Sequence, residues 1–345
     1  MTSSSVPGPS DLRAVLAAWG LDAARVTRLD VPAGDRWRVE GAPLPLDQAL
    51  ILRRYDEAQP VEAIRYEHDL RRFLDERSWP VAVPLATPEG ETLVEALGAR
   101  WSLSPVLPGA VPPDESIYLQ RRGALLSLVH ADLATWDRPP PRERAVRIDD
   151  FDAVVQPYGL SSFEALLARV QAVDGRRANA LAVLRARIEE QLEAFGYVDL
   201  PAVPLWGACL AEHVLFDADD AAGDSVTGML GFDDARVDVR AVDIATSLLV
   251  DARSIGWRII RWVAGYSAHA EPPLREQEAD LVPVLMAAIM LRRSARAIAE
   301  AHAAGAIDAT ALDTVEETMA IESHETDLRQ VIRTAARLAP VEHSS

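Results

Sequence analysis

Short apolar runs separated by turn-forming residues occupy the first part of the chain, and they predict a small hairpin-rich sheet. An opening helix is expected from Asp11 to Trp19, with Ser10 as its N-cap and Gly20 as its stop. An amphipathic helix is expected from Pro60 to about Ser78. The predicted strands are Trp37–Val39, Ala49–Leu52, Thr92–Ala96 and Arg100–Leu107. The breaks between the first runs are Pro32, Gly34, Gly41, Pro43 and Pro45.

Beyond Pro113 the apolar positions recur mainly at helical spacing. Ser161 and Glu164 have the spacing of a capping box, and Gly196 can end a helix. The predicted helices are Glu115–Trp136, Ser162–Val173, Arg177–Phe195, Val242–Ser254, Trp257–His269, Arg275–Ala304 and Ala309–Leu338. This part of the chain is therefore expected to form a larger, mainly helical lobe.

One segment interrupts the helical pattern. Between Pro204 and Asp234, the runs Val214–Phe216 and Val226–Leu230 predict a hairpin. Residues 138–150 contain three consecutive prolines and predict a loop or lid-like insertion. We predict an α+β chain with an N-terminal sheet lobe at residues 1–107 and a helical lobe at 108–345, which includes the hairpin.

Composition and charge exclude several classes of function. The net charge of −18 repels phosphate backbones, so nucleic-acid binding is not expected. The longest apolar stretch, Leu281–Leu291, contains Pro283 and is far shorter than the roughly 20 residues of a membrane span, which indicates a core helix. Met1–Gly8 lacks the pattern of a secretory signal. Cys209 is the only cysteine, which excludes a disulfide framework. We expect a cytoplasmic protein without membrane association.

The chain contains no lysine, so all 35 of its basic residues are arginine. Its only asparagine is Asn179, and alanine is abundant. This skew can explain a missing lysine or asparagine at a given position. It cannot explain a missing aspartate, because aspartate is common elsewhere in the chain.

Short motifs in a fixed order carry a family resemblance. They are Ile51–Tyr55, Tyr66–His68, Pro80–Pro84, Trp101–Gly109, Trp206–Leu215, Val226–Ala235 and Asp243–Ala245. In type and spacing they resemble the aminoglycoside phosphotransferase, choline kinase and homoserine kinase group, from about residue 12 to about residue 305. The resemblance implies a bilobal protein-kinase-like fold.

The resemblance also implies roles for residues of the first lobe. Arg53 matches the basic residue that holds phosphates in this family, and Glu67 matches the glutamate that pairs with it. A guanidinium preserves the charge of the usual lysine but not its geometry. Pro105 and Val106 end the strand that matches the family's hinge, which makes them nucleotide-binding positions.

The catalytic positions implied by the resemblance carry different residues. Where the family has the catalytic aspartate this chain has Ala208, and at the two metal-binding positions it has His213 and Gly231. By the family pattern no metal site remains, and no cofactor is expected for catalysis. Binding of ATP and magnesium stays open.

Other residues could substitute for the lost groups. Asp233 and Asp234 could recruit magnesium, although paired acids are also common in turns. Glu212 could act as a relocated base or be a solvated carboxylate. Cys209 with His213 has the spacing of a thiol and its base, although a lone cysteine is usually a small buried residue. Trp206 could plug the cleft or simply fill the core.

Two functions follow from these replacements. The first is a pseudokinase that binds a small molecule, a peptide or a partner enzyme in the old nucleotide and substrate cleft. The second is an active enzyme, either a phosphotransferase with displaced acids or a former kinase adapted to different chemistry. The sequence does not decide the oligomeric state.

Overall fold

A computed structural model of the chain describes residues 7–22, 24–30, 35–41, 49–56, 59–113, 115–217, 219–220, 225–249 and 256–338. The turn residues predicted at Pro32, Gly34, Pro43 and Pro45 lie outside these ranges. So do residues 250–254, at the end of a predicted helix. The chain forms two compact units. The first is Met1–Ala110 with Leu215–Ala221 and Ser225–Leu230, and the second is Val111–Val214, Ala222–Asp224 and Gly231–Ser345.

The first unit contains a five-stranded antiparallel sheet with the strand order β1-β2-β3-β5-β4. Its strands are β1 (Arg25–Arg28), β2 (Arg36–Glu40), β3 (Leu50–Tyr55), β4 (Val94–Ala96) and β5 (Ala99–Pro105). Arg53 lies on the central strand, opposite Arg36 on one side and Ser102 on the other. The sheet predicted from the sequence is confirmed.

Two helices accompany this sheet. The opening helix α1 (Pro9–Leu16) continues as a 3₁₀ turn to Trp19 and ends at Gly20 in the left-handed conformation, as predicted. Its N-cap is Gly8 and not Ser10, because Pro9 starts the helix one residue before Ser10. Helix α2 (Val61–Asp75) begins directly after Pro60. The apolar side of α1 packs with the buried residues of β2, β3 and β5 in one core.

The second unit is mainly helical, as expected. Its helices are α3 (Ser116–Leu133), α4 (Asp152–Val155), α5 (Phe163–Gln171), α6 (Gly175–Ala194), α7 (Ala241–Leu248), α8 (Trp257–His269), α9 (Glu276–Ala303), α10 (Ala309–Ser323) and α11 (Glu325–Ala336). Helix α9 contacts α4, α5, α6, α7, α10 and α11. Leu281–Leu291 is buried throughout, which confirms the predicted core helix. Among the described residues, no helix is long and apolar enough to cross a membrane.

The hairpin between the helices consists of β7 (Val214–Phe216) and β8 (Val226–Met229), as the sequence predicts. The structure groups most of it with the first unit, although the sequence placed it in the helical lobe. The reason is backbone pairing: Met229 donates to the carbonyl of Pro80, and Phe216 and Ala110 exchange two hydrogen bonds. The side chain of Thr227 also donates to the carbonyl of Pro108, at 2.9 Å.

Three details of the second unit differ from the sequence prediction. The cap of α5 is Ser162, whose hydroxyl accepts from the Ala165 N–H, so the prediction of Ser161 is wrong by one residue. The last predicted helix is in fact two helices, because the helical conformation is interrupted at His324. A short sheet, formed by β6 (Ala202–Leu205) with β9 (Arg236–Val239), has no counterpart among the predicted elements.

Candidate functional site

A buried carboxylate fixes the backbone of the segment that matches the catalytic loop. Asp243, near the start of α7, accepts hydrogen bonds from the backbone N–H groups of Trp206 and Gly207, both at 2.9 Å. Its Oδ2 also lies 3.1 Å from Nε2 of His130. The carboxylate is completely buried, so these donors replace water around it.

His130 connects this carboxylate to α8. Its Nδ1 lies 2.9 Å from the Tyr266 hydroxyl, and both side chains are buried. The sequence assigned no role to His130, and none to Asp243 beyond its motif. No signal in the sequence joins residues this far apart, because their contact depends on the packing of α3, α7 and α8.

The backbone is well defined where the family resemblance implies a catalytic base. Gly207 has a φ of +107°, and a Cβ there would lie 2.5 Å from the backbone of Asp234, so the loop requires glycine. The next residue, Ala208, is only 5% exposed and ends in a methyl group. The conformation of the loop is therefore fixed where the side chain that would accept a proton is absent.

His213 and Gly231, where the family resemblance implies metal ligands, lie against each other. Nδ1 of His213 lies 2.8 Å from the carbonyl oxygen of Ala208. Because a carbonyl only accepts, Nδ1 carries the proton, and in the neutral ring Nε2 keeps the lone pair. A Cβ at Gly231 would lie 2.2 Å from Nδ1 and 2.4 Å from Cε1 of this ring. The imidazole thus occupies the space that a side chain at position 231 needs, so the two replacements are linked.

Trp206 is packed within the second unit. Its indole is completely buried and stacks on Phe232, with 5.4 Å between the ring centroids and an interplanar angle of 20°. Stacked aromatic rings contribute roughly 0.5–1.5 kcal/mol beyond the area they bury. This geometry corresponds to the core-filling alternative.

The substitute groups suggested by the sequence lie in different environments. The Cys209 thiol is buried, which raises its pKa to about 12, and it contacts the carbonyl of Arg122 at 3.7 Å. The thiol therefore keeps its proton at neutral pH, and the His213 Nδ1 is directed to Ala208 instead. Glu212, in the 3₁₀ turn before β7, is exposed.

Asp233 and Asp234 lie in a 3₁₀ turn that follows Gly231. The Asp233 carbonyl accepts a hydrogen bond of 2.6 Å from Arg144, which anchors the turn, and Asp234 is exposed. Within the described parts of the chain, no group of three or more His, Cys, Asp or Glu side chains is placed to hold a metal ion.

The first unit keeps the ion pair that the family resemblance implies. Nη1 of Arg53 lies 3.1 Å from Oε1 of Glu67, which is almost completely buried. The same oxygen also accepts from Nη1 of Arg71, at 3.2 Å. Arg71 further donates to the Ala82 carbonyl and, at 3.2 Å, to the Ser104 hydroxyl. Sequence reasoning missed Arg71, although its position four residues after Glu67 is the spacing of a helical ion pair.

A neutral histidine lies beside this pair. Burial, together with the nearby charges of Arg71 and Arg53, lowers the pKa of His68 to about 3. Its Nε2 lies 2.9 Å from the Tyr55 hydroxyl, and its Nδ1 lies 2.8 Å from the Thr92 hydroxyl.

The two positions for which the resemblance implies nucleotide binding lie at the end of β5. The N–H of Val106 donates to the Ala49 carbonyl at 2.9 Å. Pro105, opposite Leu50, is half-buried.

This chain belongs to the phosphotransferase enzyme family, whose model matches residues 33–281. The family resemblance inferred from the sequence is thereby confirmed. No curated protein sequence matches the chain.

Solved structures share the kinase-like fold. A microcompartment-associated aminopropanol kinase is 17% identical, with a TM-score of 0.71, and the match covers 92% of this chain and 98% of that one. An aminoglycoside phosphotransferase from Alicyclobacillus acidocaldarius is 14% identical, with a TM-score of 0.57 and coverages of 98% and 97%. A choline/ethanolamine kinase family protein from Mesorhizobium loti is 14% identical, with a TM-score of 0.58 and coverages of 94% and 98%.

Proposed function

We propose that this chain is a pseudokinase of the phosphotransferase enzyme family, which binds a ligand or partner and does not carry out ordinary magnesium–ATP phosphoryl transfer. The observation that carries the proposal is the contact between His213 and Gly231, next to a methyl group at Ala208. The ligand would be a small molecule, a peptide or a partner enzyme.

Phosphoryl transfer needs a residue that accepts a proton, and this is the first function for which the chain lacks a side chain. Phosphoryl transfer in kinases uses an aspartate to accept the proton of the substrate hydroxyl. The Ala208 methyl cannot accept a proton, and assistance by a general base accelerates reactions typically by about 10²–10⁴. The carbonyl oxygen of Ala208 already accepts from His213.

Metal binding is the second function for which the chain lacks the required side chains. Magnesium requires oxygen ligands in a nearly octahedral arrangement, whereas a neutral imidazole is better suited to zinc or copper. Gly231 offers no side-chain ligand, and the His213 ring fills the space in which one would stand. These residues do not fit the two magnesium ions that kinases use.

An active enzyme is the alternative, and two observations favour it. The side chains of Asp234 and Glu212 are exposed in the turns next to the altered positions. The ion pair between Arg53 and Glu67 is also intact. In this version Asp233, Asp234 or Glu212 would replace the lost acids, and alanine at these positions would abolish the activity.

Release and transfer of the γ-phosphate, measured with magnesium and with manganese, tests the proposal. An active member of the family, assayed in parallel, is the positive control. We expect rates no higher than the uncatalysed background. Turnover at ordinary kinase rates, on the order of 1–100 per second, would refute the proposal.

A separate experiment asks whether nucleotide still binds through the residues of the first unit. The melting temperature is measured with ATP, in the presence and in the absence of magnesium. A ligand that binds only the folded state raises this temperature according to its affinity. A shift that does not depend on magnesium would agree with the loss of the metal ligands, whereas a shift that requires magnesium would support the displaced-acid alternative.

A further inference from the structure

A cavity of about 350 Å³ lies within the second unit, beside the altered loop. Gly207 and Asp234 form part of its wall, and Ile148, Val154 and Ile289 contribute apolar surface. The wall also contains four arginines, one from β9 and three from two successive turns of α9, which are Arg236, Arg292, Arg293 and Arg296. Such a concentration of positive charge is unexpected in a protein with a net charge of −18.

Three of these arginines have no carboxylate partner among the residues that the structure describes. Within the described residues, no Asp or Glu lies within ion-pair distance of Arg236, Arg292 or Arg293. Nε of Arg236 is buried and has no hydrogen-bond acceptor there. Elsewhere in the second unit, arginines such as Arg177 and Arg240 form ion pairs with acidic residues. Ordinary surface pairing therefore does not account for the cluster.

Arg292 is held in place by the backbone. Its Nη1 donates to the carbonyls of Arg147, Ile148 and Asp150, which leaves the rest of the guanidinium at the wall. Burial and the nearby charge of Arg236 lower the pKa of Arg292 to about 10, while Asp150 and Asp238 act in the opposite direction. Arg292 is therefore still charged at neutral pH, close to a second charge of the same sign.

The opposing charges at the cavity are fewer. Arg296 is paired with Glu300, with 2.8 Å between Nε and Oε1. The oxygens of Asp238 accept from the Tyr197 hydroxyl and the Ile148 N–H. Asp234 is the only acidic residue among those that line the cavity. The balance leaves an excess of positive charge that faces the cavity.

We propose that this cavity binds a small organic anion, a phosphate or carboxylate group on a short carbon skeleton, with Arg236, Arg292 and Arg293 holding the charged group. Guanidinium groups bind these anions through two parallel hydrogen bonds. The volume is near the lower end of the roughly 300–1,000 Å³ of small-molecule sites, which favours a small ligand over a macromolecule. The inference rests on the proposed binding function and names its ligand class.

Isothermal titration calorimetry at low ionic strength tests the proposal, with inorganic phosphate, O-phosphoserine and succinate as anions and choline as a cation. The decisive variant is Arg293→Gln, because this side chain is exposed and its loss should leave the fold intact. Arg236→Gln is the second variant. The matched control is Arg169→Gln, an exposed arginine on α5 of the same unit that does not line the cavity.

We expect O-phosphoserine or succinate to bind more tightly than inorganic phosphate, and choline not to bind. Arg293→Gln should weaken the organic anion by about tenfold or more, as expected for the loss of a charge-assisted hydrogen bond, and Arg169→Gln should not. The proposal is overturned if no organic anion binds or if choline binds equally well. It is also overturned if Arg293→Gln and the control Arg169→Gln weaken binding alike. The titration contains neither ATP nor magnesium, so its failure leaves the proposed loss of phosphoryl transfer untouched, and measured transfer would leave the anion result standing.

Discussion

The two units of this protein differ in what they keep of a phosphotransferase. In the first unit the charged pair Arg53–Glu67 is intact, and Arg71 reinforces it. In the second unit the backbone of the loop is fixed by Asp243, and Ala208, His213 and Gly231 stand where the family resemblance implies the base and the metal ligands. The residues that hold the backbone are therefore present, while the side chains that the resemblance implies for the chemistry are not.

The difference has a physical basis. Removing one partner of the Arg53–Glu67 pair, or the buried carboxylate of Asp243, would leave buried groups unpaired and strongly destabilise the fold. A catalytic side chain at the surface of a cavity contributes little to stability, and its loss is tolerated. In the second unit the His213 ring fills the space that a side chain at position 231 would need.

The largest effect is expected for Asp243→Ala, which tests whether the loop backbone depends on this carboxylate. The change removes the acceptor of three buried donors and should lower the free energy of unfolding by about 3–5 kcal/mol. Urea unfolding measures it. Glu190→Ala, which removes an exposed carboxylate on α6, is the control and should change stability by less than about 0.5 kcal/mol. Equal effects would show that Asp243 does not hold the loop.

A smaller effect is expected for Gly231→Ala, which tests the linkage of the two metal positions. The left-handed conformation and the contact with His213 together should cost about 2–3 kcal/mol of unfolding free energy. In a His213→Ala background only the conformational part, about 1–2 kcal/mol, should remain.

Gly159→Ala separates the two contributions to the Gly231 effect. Gly159 lies in the same unit with a φ of +82°, close to the +75° of Gly231, but no atom lies within 4 Å of a Cβ there. It should therefore show the conformational cost alone. If Gly231→Ala is no worse than Gly159→Ala, or is unaffected by the His213 background, the two positions are not coupled.

The last effect, which is spread over several pH units, concerns the charged interior of the first unit. The pKa of His68 is lowered from 6.5 to about 3, with burial as the main cause, followed by Arg71, Arg53 and Arg72. The folded protein therefore does not take up the proton that the unfolded chain binds below pH 6.5, and stability should fall as the pH decreases from about 6.5 towards 3.

The contribution of His68 should approach about 1.4 kcal/mol per pH unit within that range. Urea unfolding of the wild type and of His68→Gln, measured from neutral to mildly acidic pH, isolates this contribution. The variant should have a flatter pH dependence. Identical slopes for the two proteins would mean that folding does not lower the pKa of His68, contrary to the expected effect of its burial and of the nearby arginines.

Much of the fold could be predicted from local sequence signals. Gly20 and Pro60 mark helix ends because their backbone preferences are local, and strands β2 to β5 follow from short apolar runs between turn residues. The sheet of β6 with β9 was missed because Pro201 and Pro204 argue against a strand in the sequence pattern. The partner of this short strand is also more than 30 residues away. The break at His324 was missed because the apolar spacing continues across it.

The candidate site was predicted as a set of positions but not as an arrangement. Ala208, His213 and Gly231 could be identified by matching motifs, but the contact between His213 and Gly231 depends on the folding of two separate turns. The arginine-lined cavity was not predicted, because Arg236 and Arg292 are distant in sequence. In a chain without lysine, an arginine at a given position also gives no sign of a special role. Whether Asp233 or Asp234 recruits a metal stays a prediction.

The central claim is tested most directly by the rate of γ-phosphate release at saturating magnesium–ATP, measured in parallel for the wild type and a Glu212→Ala/Asp233→Ala/Asp234→Ala variant. Both proteins should release phosphate only at the background rate, because position 208 has no proton-accepting side chain and position 231 has no side-chain metal ligand. Turnover by the wild type at kinase rates, lost in the variant, would contradict it and establish the displaced acids as the catalytic groups.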